Sequence, residues 1–315
     1  MLANQYLPEG YYLENAENRE YLSGLAALER AMNEGKILEA PAVRCGSDLT
    51  LTVELGGYFG YIKKEESTLT YEDDAVKDIA VITRVGKPVC FKVISIERDS
   101  YGEPKIMLSR RAAQLECTEN YLSTLIPGDI IPARVTHLEQ FGAFVDIGCG
   151  VISLLSIDCM SVSRISHPKD RFSIGMDIRC IIRKNEECGR RIYVSHKELL
   201  GTWRENAENF CVGQTVTGVV RSIEEYGIFI ELSPNLAGLA EYKEDITVGQ
   251  SAAVFIKNII PERMKIKLVI IDTYKGLKPS PGCRFRYYVG SDVTHISDWK
   301  YSPNESNKCI ETMFD

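Results

Sequence analysis

No stretch of this sequence approaches the roughly 18–20 consecutive apolar residues that a membrane-spanning helix needs, which argues against a membrane protein. The opening residues, MLANQYLPEGYYLENAENRE, lack a basic end followed by an apolar run, so a secretory leader is not expected either. Ten cysteines are present, but no two form a CxxC pair, which excludes zinc fingers and thioredoxin-type redox motifs. Reduced, partly buried thiols in a cytoplasmic protein are the expectation. Histidine is scarce, at His137, His167, His196 and His295 only, and there is no HExxH, GxSxG or Gly-rich phosphate loop. Paired carboxylates on an evident shared face are lacking too. No enzyme, metal centre or cofactor is expected.

What is there begins with length: 315 residues suggest about two or three domains. At 44% apolar and 26% charged, the composition is that of a globular protein. The net charge of −7 argues at face value against a polyanion partner. It is unevenly spread: −6 over residues 1–126, +1 over 127–203 and −2 over 204–315. A nucleic acid responds to potential within about one Debye length, so a mildly basic middle is permissive.

The chain repeats itself. Residues 126–148, IPGDIIPARVTHLEQFGAFVDIG, align with 211–232, CVGQTVTGVVRSIEEYGIFIEL, at an offset of 85 that pairs Gly128 with Gly213, Phe141 with Tyr226, Gly142 with Gly227 and Phe144 with Phe229. Each copy reads as strands, rich in β-branched residues with partial alternation. In the better copy, Ile130–Leu138, Ala143–Ile147, Val151–Leu155, a strand from Gly175-Met176-Asp177 to Ile182, and Arg191–Ser195 give five short strands. An irregular passage follows the third strand, and the whole fits a small Greek-key barrel of the OB type. A weaker third copy lies upstream, where 86–111 matches 175–197 in order: Gly, strand, polar turn, strand, Ser. Its first turn is Cys45-Gly46-Ser47-Asp48, without the aromatic pair, and Leu55-Gly56-Gly57-Tyr58-Phe59-Gly60 reads as a strand turn. Apolar spacing over Asn18–Asn33 with Gly35 as a stop predicts a helix packed on the first barrel, and Ser195-x-x-Glu198 has capping-box spacing ahead of a helix-like linker, LLGTWRENAENF.

Phe141 and Phe144 should face opposite sides of a regular strand. A bulge at Gly142 would bring both rings to one outer face, and Tyr226-Gly227-Ile228-Phe229 would repeat the device. Two outward rings make a stacking platform for unpaired bases; the bland alternative is that both are barrel core. Arg190 and Arg191, with Arg134, Arg164, Lys169, Arg171 and Arg179, are candidates for phosphates, each of which could equally be a solvated surface charge. His167, before Pro168, is a loop residue with an RNA contact as the other option. Stacking contributes roughly 1–3 kcal/mol per base, so one pair supplies about 2–6 kcal/mol. Micromolar affinity needs about 8 kcal/mol, so two linked units serve better than one.

The unit PGDIIPARVTHLEQFGAFVDIG…GMDIRCIIRKNEECGRRIYVSHKEL resembles the S1 RNA-binding domain, the repeat of bacterial ribosomal protein S1. The order of units and the VSHKELLGTW linker look like the shorter ribosomal-S1-like proteins of Gram-positive bacteria. The resemblance implies a mainly β chain of three tandem S1/OB-fold five-stranded barrels, the first divergent, with short linker helices and a C-terminal β extension. The divisions expected are a helical segment at 1–34, the divergent unit at 35–112, S1 units at 127–200 and 212–271, a linker helix at 201–211, and an extension at 272–315 packed on the last barrel. The extension's many aromatics leave open a second nucleic-acid surface. The family binds single-stranded RNA through two aromatics, a histidine after the third strand, and an acid/Arg pair near the last. Carried over, these are Phe141, Phe144, Ser156 in the histidine's place, Glu187 and Arg191. In the third unit they are Tyr226, Phe229, Glu241 for the histidine and Lys265 for the arginine. Ser156 should weaken binding, and Glu241 would repel a phosphate. The expected partners are single-stranded RNA, chiefly mRNA, and the small ribosomal subunit, docked through residues 1–112; the chain is expected to be a monomer in the cytoplasm. An RNA-binding regulator acting off the ribosome, and an adaptor whose barrels bind protein, are the alternatives.

Overall fold

The computed structural model describes residues 5–71, 75–98, 100–274 and 285–314. Cys283 and the 275–284 part of the expected extension lie outside the described residues. Three closed five-stranded barrels follow one another along the chain. The first consists of β1 (Leu38–Cys45), β2 (Leu51–Glu54), β3 (Phe59–Ile62), β4 (Pro88–Arg98) and β5 (Pro104–Ser109). The middle barrel is β6 (Ile130–Glu139), β7 (Gly142–Asp146), β8 (Ile152–Ser156), β9 (Asp177–Glu186) and β10 (Arg191–Ser195). The third is β11 (Thr215–Glu224), β12 (Gly227–Ser233), β13 (Leu236–Ala240), β14 (Ser251–Ile260) and β15 (Lys265–Tyr274). In each, the third strand pairs in parallel with the fifth, and that pairing closes the sheet without leaving an edge.

Alternation builds the cores. Along β6, Ile131, Ala133 and Val135 point inward and are buried, while their neighbours are partly or fully exposed. Each barrel encloses its own apolar cluster, around Phe91 and Leu51 in the first, Val145 and Leu155 in the middle, and Val254 and Leu268 in the third.

Short helices join the barrels. The single N-terminal helix expected from 18–33 is two: α1 (Ala16–Tyr21) and α2 (Leu25–Glu34), parted by Leu22-Ser23-Gly24. Gly35 ends α2 in the left-handed conformation, as its position suggested. Between β3 and β4 lies α3 (Asp78–Ile82), and after β5 comes α4 (Arg110–Asn120), capped by the Ser109 hydroxyl accepting from the Ala112 N–H. The capping box falls seven residues later than expected. Thr202 and Glu205 form it at the head of α5 (Trp203–Ala207), whereas the Ser195 hydroxyl bonds the Glu198 carboxylate directly.

The C-terminal segment does not sit on the last barrel alone. Residues 285–296 strap the middle barrel: Phe285 and Tyr287 pack against His196, Ile130 N–H donates to the Thr294 carbonyl at 2.8 Å, and Ile296 N–H to that of Gly128 at 3.0 Å. A hairpin of β16 (Asp298–Lys300) and β17 (Glu311–Met313) follows, and Trp299 and Tyr301 join the core of the third barrel. Buried charge locks the barrels together. Glu9 ties Arg110 to the middle barrel by donating its N–H to Asp146 at 2.8 Å, and Arg171 pairs with Glu231 across the next junction at 2.7 Å.

Candidate nucleic-acid interface

The β6–β7 hairpin turns on Gln140-Phe141, with Glu139 opposite Gly142. Phe141 therefore sits on the turn rather than in the strand, and its carbonyl is pinned by the Ile157 N–H at 2.9 Å. From there its ring reaches over β7 to meet Phe144 edge-on, with centroids 6.1 Å apart and planes at 88°. Tyr226 and Phe229 repeat the geometry in the third barrel at 6.1 Å and 87°. The leading rings are wet: Phe141 is 55% exposed and Tyr226 70%. They are not barrel core.

The route to this arrangement differs from the expected one. No bulge lies at Gly142 or Gly227. The register slips instead on the facing strands, at Thr136 of β6 and Arg221 of β11. Thr136 uses its hydroxyl to donate to the Phe144 carbonyl at 3.0 Å, occupying an acceptor beside the bulge. The glycines serve close approach: a Cβ on Gly142 would stand 2.7 Å from the Leu155 carbonyl oxygen, and one on Gly227 2.4 Å from that of Ala240.

The basic candidates divide. Arg134 is consumed by structure, bonded to Asp177 at 2.6 Å and to the Glu9 carbonyl at 3.0 Å, with its guanidinium over the Tyr11 ring. Arg171 is buried against Glu231, and Arg179 holds the carbonyls of Val289, Gly290 and Val293. None of these three is free for a phosphate, because each lies where two segments of the chain must be joined. Arg190 stacks on Tyr71, from the loop after β3. His167 caps a short turn, its Nδ1 accepting from the Lys169 N–H at 3.1 Å. Arg164 and Lys169 are exposed. Arg191 and Glu187 do pair, at 3.1 Å, with both side chains half or more exposed. Ser156, half-buried, ends β8, and exposed Glu241 follows β13. Lys265 opens β15, exposed and opposite Ile260.

One ring escaped the sequence reading. His137 lies directly opposite Phe144, stacked at 30° and 6.2 Å, with its Nε2 held by Glu139 at 2.7 Å. Strict alternation from Ile131, Ala133 and Val135 would turn it inward; the register slip at Thr136 turns it outward, and the cross-strand register sets it beside Phe144. The first barrel carries no counterpart of the hairpin pair; its outward rings, Phe59 and Tyr61, are on β3.

Comparison with known proteins adds to this geometry. Residues 124–197, the middle barrel, match the family described as "S1 RNA binding domain". A protein named "Small ribosomal subunit protein bS1" from Staphylococcus aureus is 28% identical over 320 residues, covering 96% of this chain and 76% of its own length. One of the same name from Rickettsia conorii is 27% identical over 236 residues, covering 70% of this chain but only 40% of itself. A crystal structure of a multidomain protein with nucleic acid binding domains from Streptococcus pneumoniae covers 76% of this chain and 74% of that one. At 14% identity and a TM-score of 0.25, it bears on neither fold nor function.

Proposed function

We propose, from the S1 domain that forms the middle barrel, that this chain is a non-enzymatic protein that binds single-stranded RNA and assists translation at the small ribosomal subunit. One observation carries the reading: two barrels hold an edge-on ring pair at the same hairpin position, its leading ring exposed and its second half-buried, a geometry suited to unpaired bases and useless to a barrel core. The middle barrel is the main grip, with Arg191 beside it. The third barrel is a helper weakened by Glu241. Residues 1–112, net acidic and without the ring pair, dock on a basic protein surface of the subunit. The S1 names of the relatives and their coverage of most of the chain support the ribosomal assignment. Among the described residues no helix is long and apolar enough to cross a membrane, and we place the chain, as a monomer, in the cytoplasm with the ribosome.

The test is binding of a fluorescein-labelled oligouridine to the full chain and to Phe141→Ala/Phe144→Ala. The double variant is expected to lose at least ten-fold in affinity; equal affinities would remove the site. Pelleting with ribosomal subunits, before and after nuclease, separates a ribosome-bound protein from one acting elsewhere. The substitutions at Ser156 and Glu241 favour a second reading, a protein-binding adaptor, which predicts pelleting without any affinity for RNA.

A further inference from the structure

Cross-strand register extends the ring surface of the middle barrel well past its two phenylalanines. Directly opposed residues of neighbouring strands project from the same face of a sheet. His137 opposes Phe144, Phe144 opposes Leu154, Leu154 opposes Tyr193, and Tyr193 opposes Lys184. These five form a single outward row that visits all five strands of the barrel. Three of its members are rings, and none is buried: Tyr193 is 42% exposed, the His137 side chain 58% and the Lys184 side chain 64%. The equivalent row in the third barrel is Ser222, Phe229, Leu239, Lys267 and Asn258, and in the first Arg44, Thr52, Tyr61, Met107 and Ser95. Each of those holds one ring. The same fold thus has no structural need for rings at His137 or Tyr193.

We infer that this row is a stacking belt, in which His137 and Tyr193 take bases of a single-stranded RNA on either side of Phe144, and Lys184 meets a phosphate at its end. The inference rests on the RNA-binding reading above and names further residues of that site. Phe144 and Tyr193 are two strand spacings apart, about 10 Å, which separates bases of an unstacked strand rather than neighbours in a helix. The charged groups around the row are mixed. Glu139 holds His137, Lys184 lies within 3.8 Å of Glu186, and Arg191 is paired with Glu187. With three carboxylates there against two cations and a histidine, the grip comes from ring faces more than from charge, and it selects unpaired bases over duplex, whose bases are already stacked.

The experiment measures oligouridine binding to the full chain by fluorescence anisotropy at two salt concentrations. His137→Ala and Tyr193→Ala should each weaken binding about ten-fold and leave the salt dependence as it is. His137→Phe and Tyr193→Phe, which keep a ring, should bind like the parent chain. Lys184→Ala should instead flatten the salt dependence by about one phosphate contact. If the alanine variants bind like the parent while Phe141→Ala/Phe144→Ala loses affinity, the belt is refuted and the smaller ring-pair site stands. If Tyr193→Phe loses as much as Tyr193→Ala, the hydroxyl and not the ring is the contact, and stacking is refuted. If the double phenylalanine variant also binds like the parent, the RNA-binding reading falls with the belt.

Discussion

Gly142 and Gly227 show how little room separates the ring hairpin from the strand beside it. Because a Cβ at Gly142 would press on the Leu155 backbone oxygen rather than on a flexible side chain, the neighbouring strand must move. Gly142→Ala is therefore expected to cost about 1–3 kcal/mol of stability, measured by urea denaturation; an unchanged midpoint would mean that β8 gives way freely. The aromatic-Gly-x-aromatic pattern was plain in the sequence, and its outward display is what the structure has. The reason for the glycine was not legible. Close approach depends on which strand lies alongside, and a repeat seen within one chain does not disclose its neighbours. The arginines were illegible for the same reason. Arg134, Arg171 and Arg179 look like any surface arginine in sequence, yet each is taken up by a partner 43 or more positions away.

Among the elements, the strap over residues 285–296 departs most from expectation. Its aromatics announced a packed segment, but not that His196 of the middle barrel would receive them. His196 is buried against Phe172, Phe285 and Tyr287, its Nδ1–H donating to the Met160 carbonyl at 3.0 Å and its Nε2 accepting from the Tyr287 hydroxyl at 3.2 Å. Burial, with Arg171 nearby, pushes its pKa down from 6.5 to about 4. The unfolded imidazole takes a proton below about 6.5 that the folded one refuses. Stability from this group is therefore present near neutrality and lost as pH falls from about 6.5 to about 4, roughly 2 kcal/mol of it by pH 5. Glu39 slopes the other way. Burial lifts its carboxyl from 4.5 to about 7 against the pull of the Gly10 and Tyr12 N–H groups, so its contribution falls as pH rises through that window. Total stability mixes the two, so the clean measurement is an NMR titration of the histidines. His196 should stay neutral until about pH 4, and a midpoint near 6.5 would show that the strap leaves it wet. The helix α4 had no apolar stripe strong enough to read, since its buried face includes Arg110 and Gln114, whose partners lie on the neighbouring segments, and Thr118, which donates to the Gln114 carbonyl within the helix.

Across the whole molecule, the offset of 85 residues made the middle and third barrels legible, and strand order recovered the first. Their mutual docking was not legible, because it depends on single polar residues rather than on any pattern. Asp146 and Glu231 occupy the same place in their barrels, and both became junction residues: one accepts the Glu9 N–H, the other receives Arg171 and Arg221. Arg171→Ala would leave Glu231 buried with one arginine in place of two. A loss of up to about 3 kcal/mol in the unfolding of the last two barrels is expected, read by denaturant melts. An unchanged melt would mean that the other contacts there, Val162 with Asn235, Ser163 with Pro234 and Arg221 with Asp170, hold the junction without Arg171. Under the proposed function, docking of the two barrels would fix how their ring pairs meet a single RNA, which is how linked weak grips gain affinity.

The most direct measurement is photocrosslinking of iodouridine-substituted single-stranded RNA to the full chain, with the attachment sites read by mass spectrometry. Crosslinks at Phe141 and Phe144, with weaker ones at Tyr226 or Phe229, are the expected result. Crosslinks confined to other surfaces, or none at saturating RNA, would contradict the claim that these outward rings hold nucleobases.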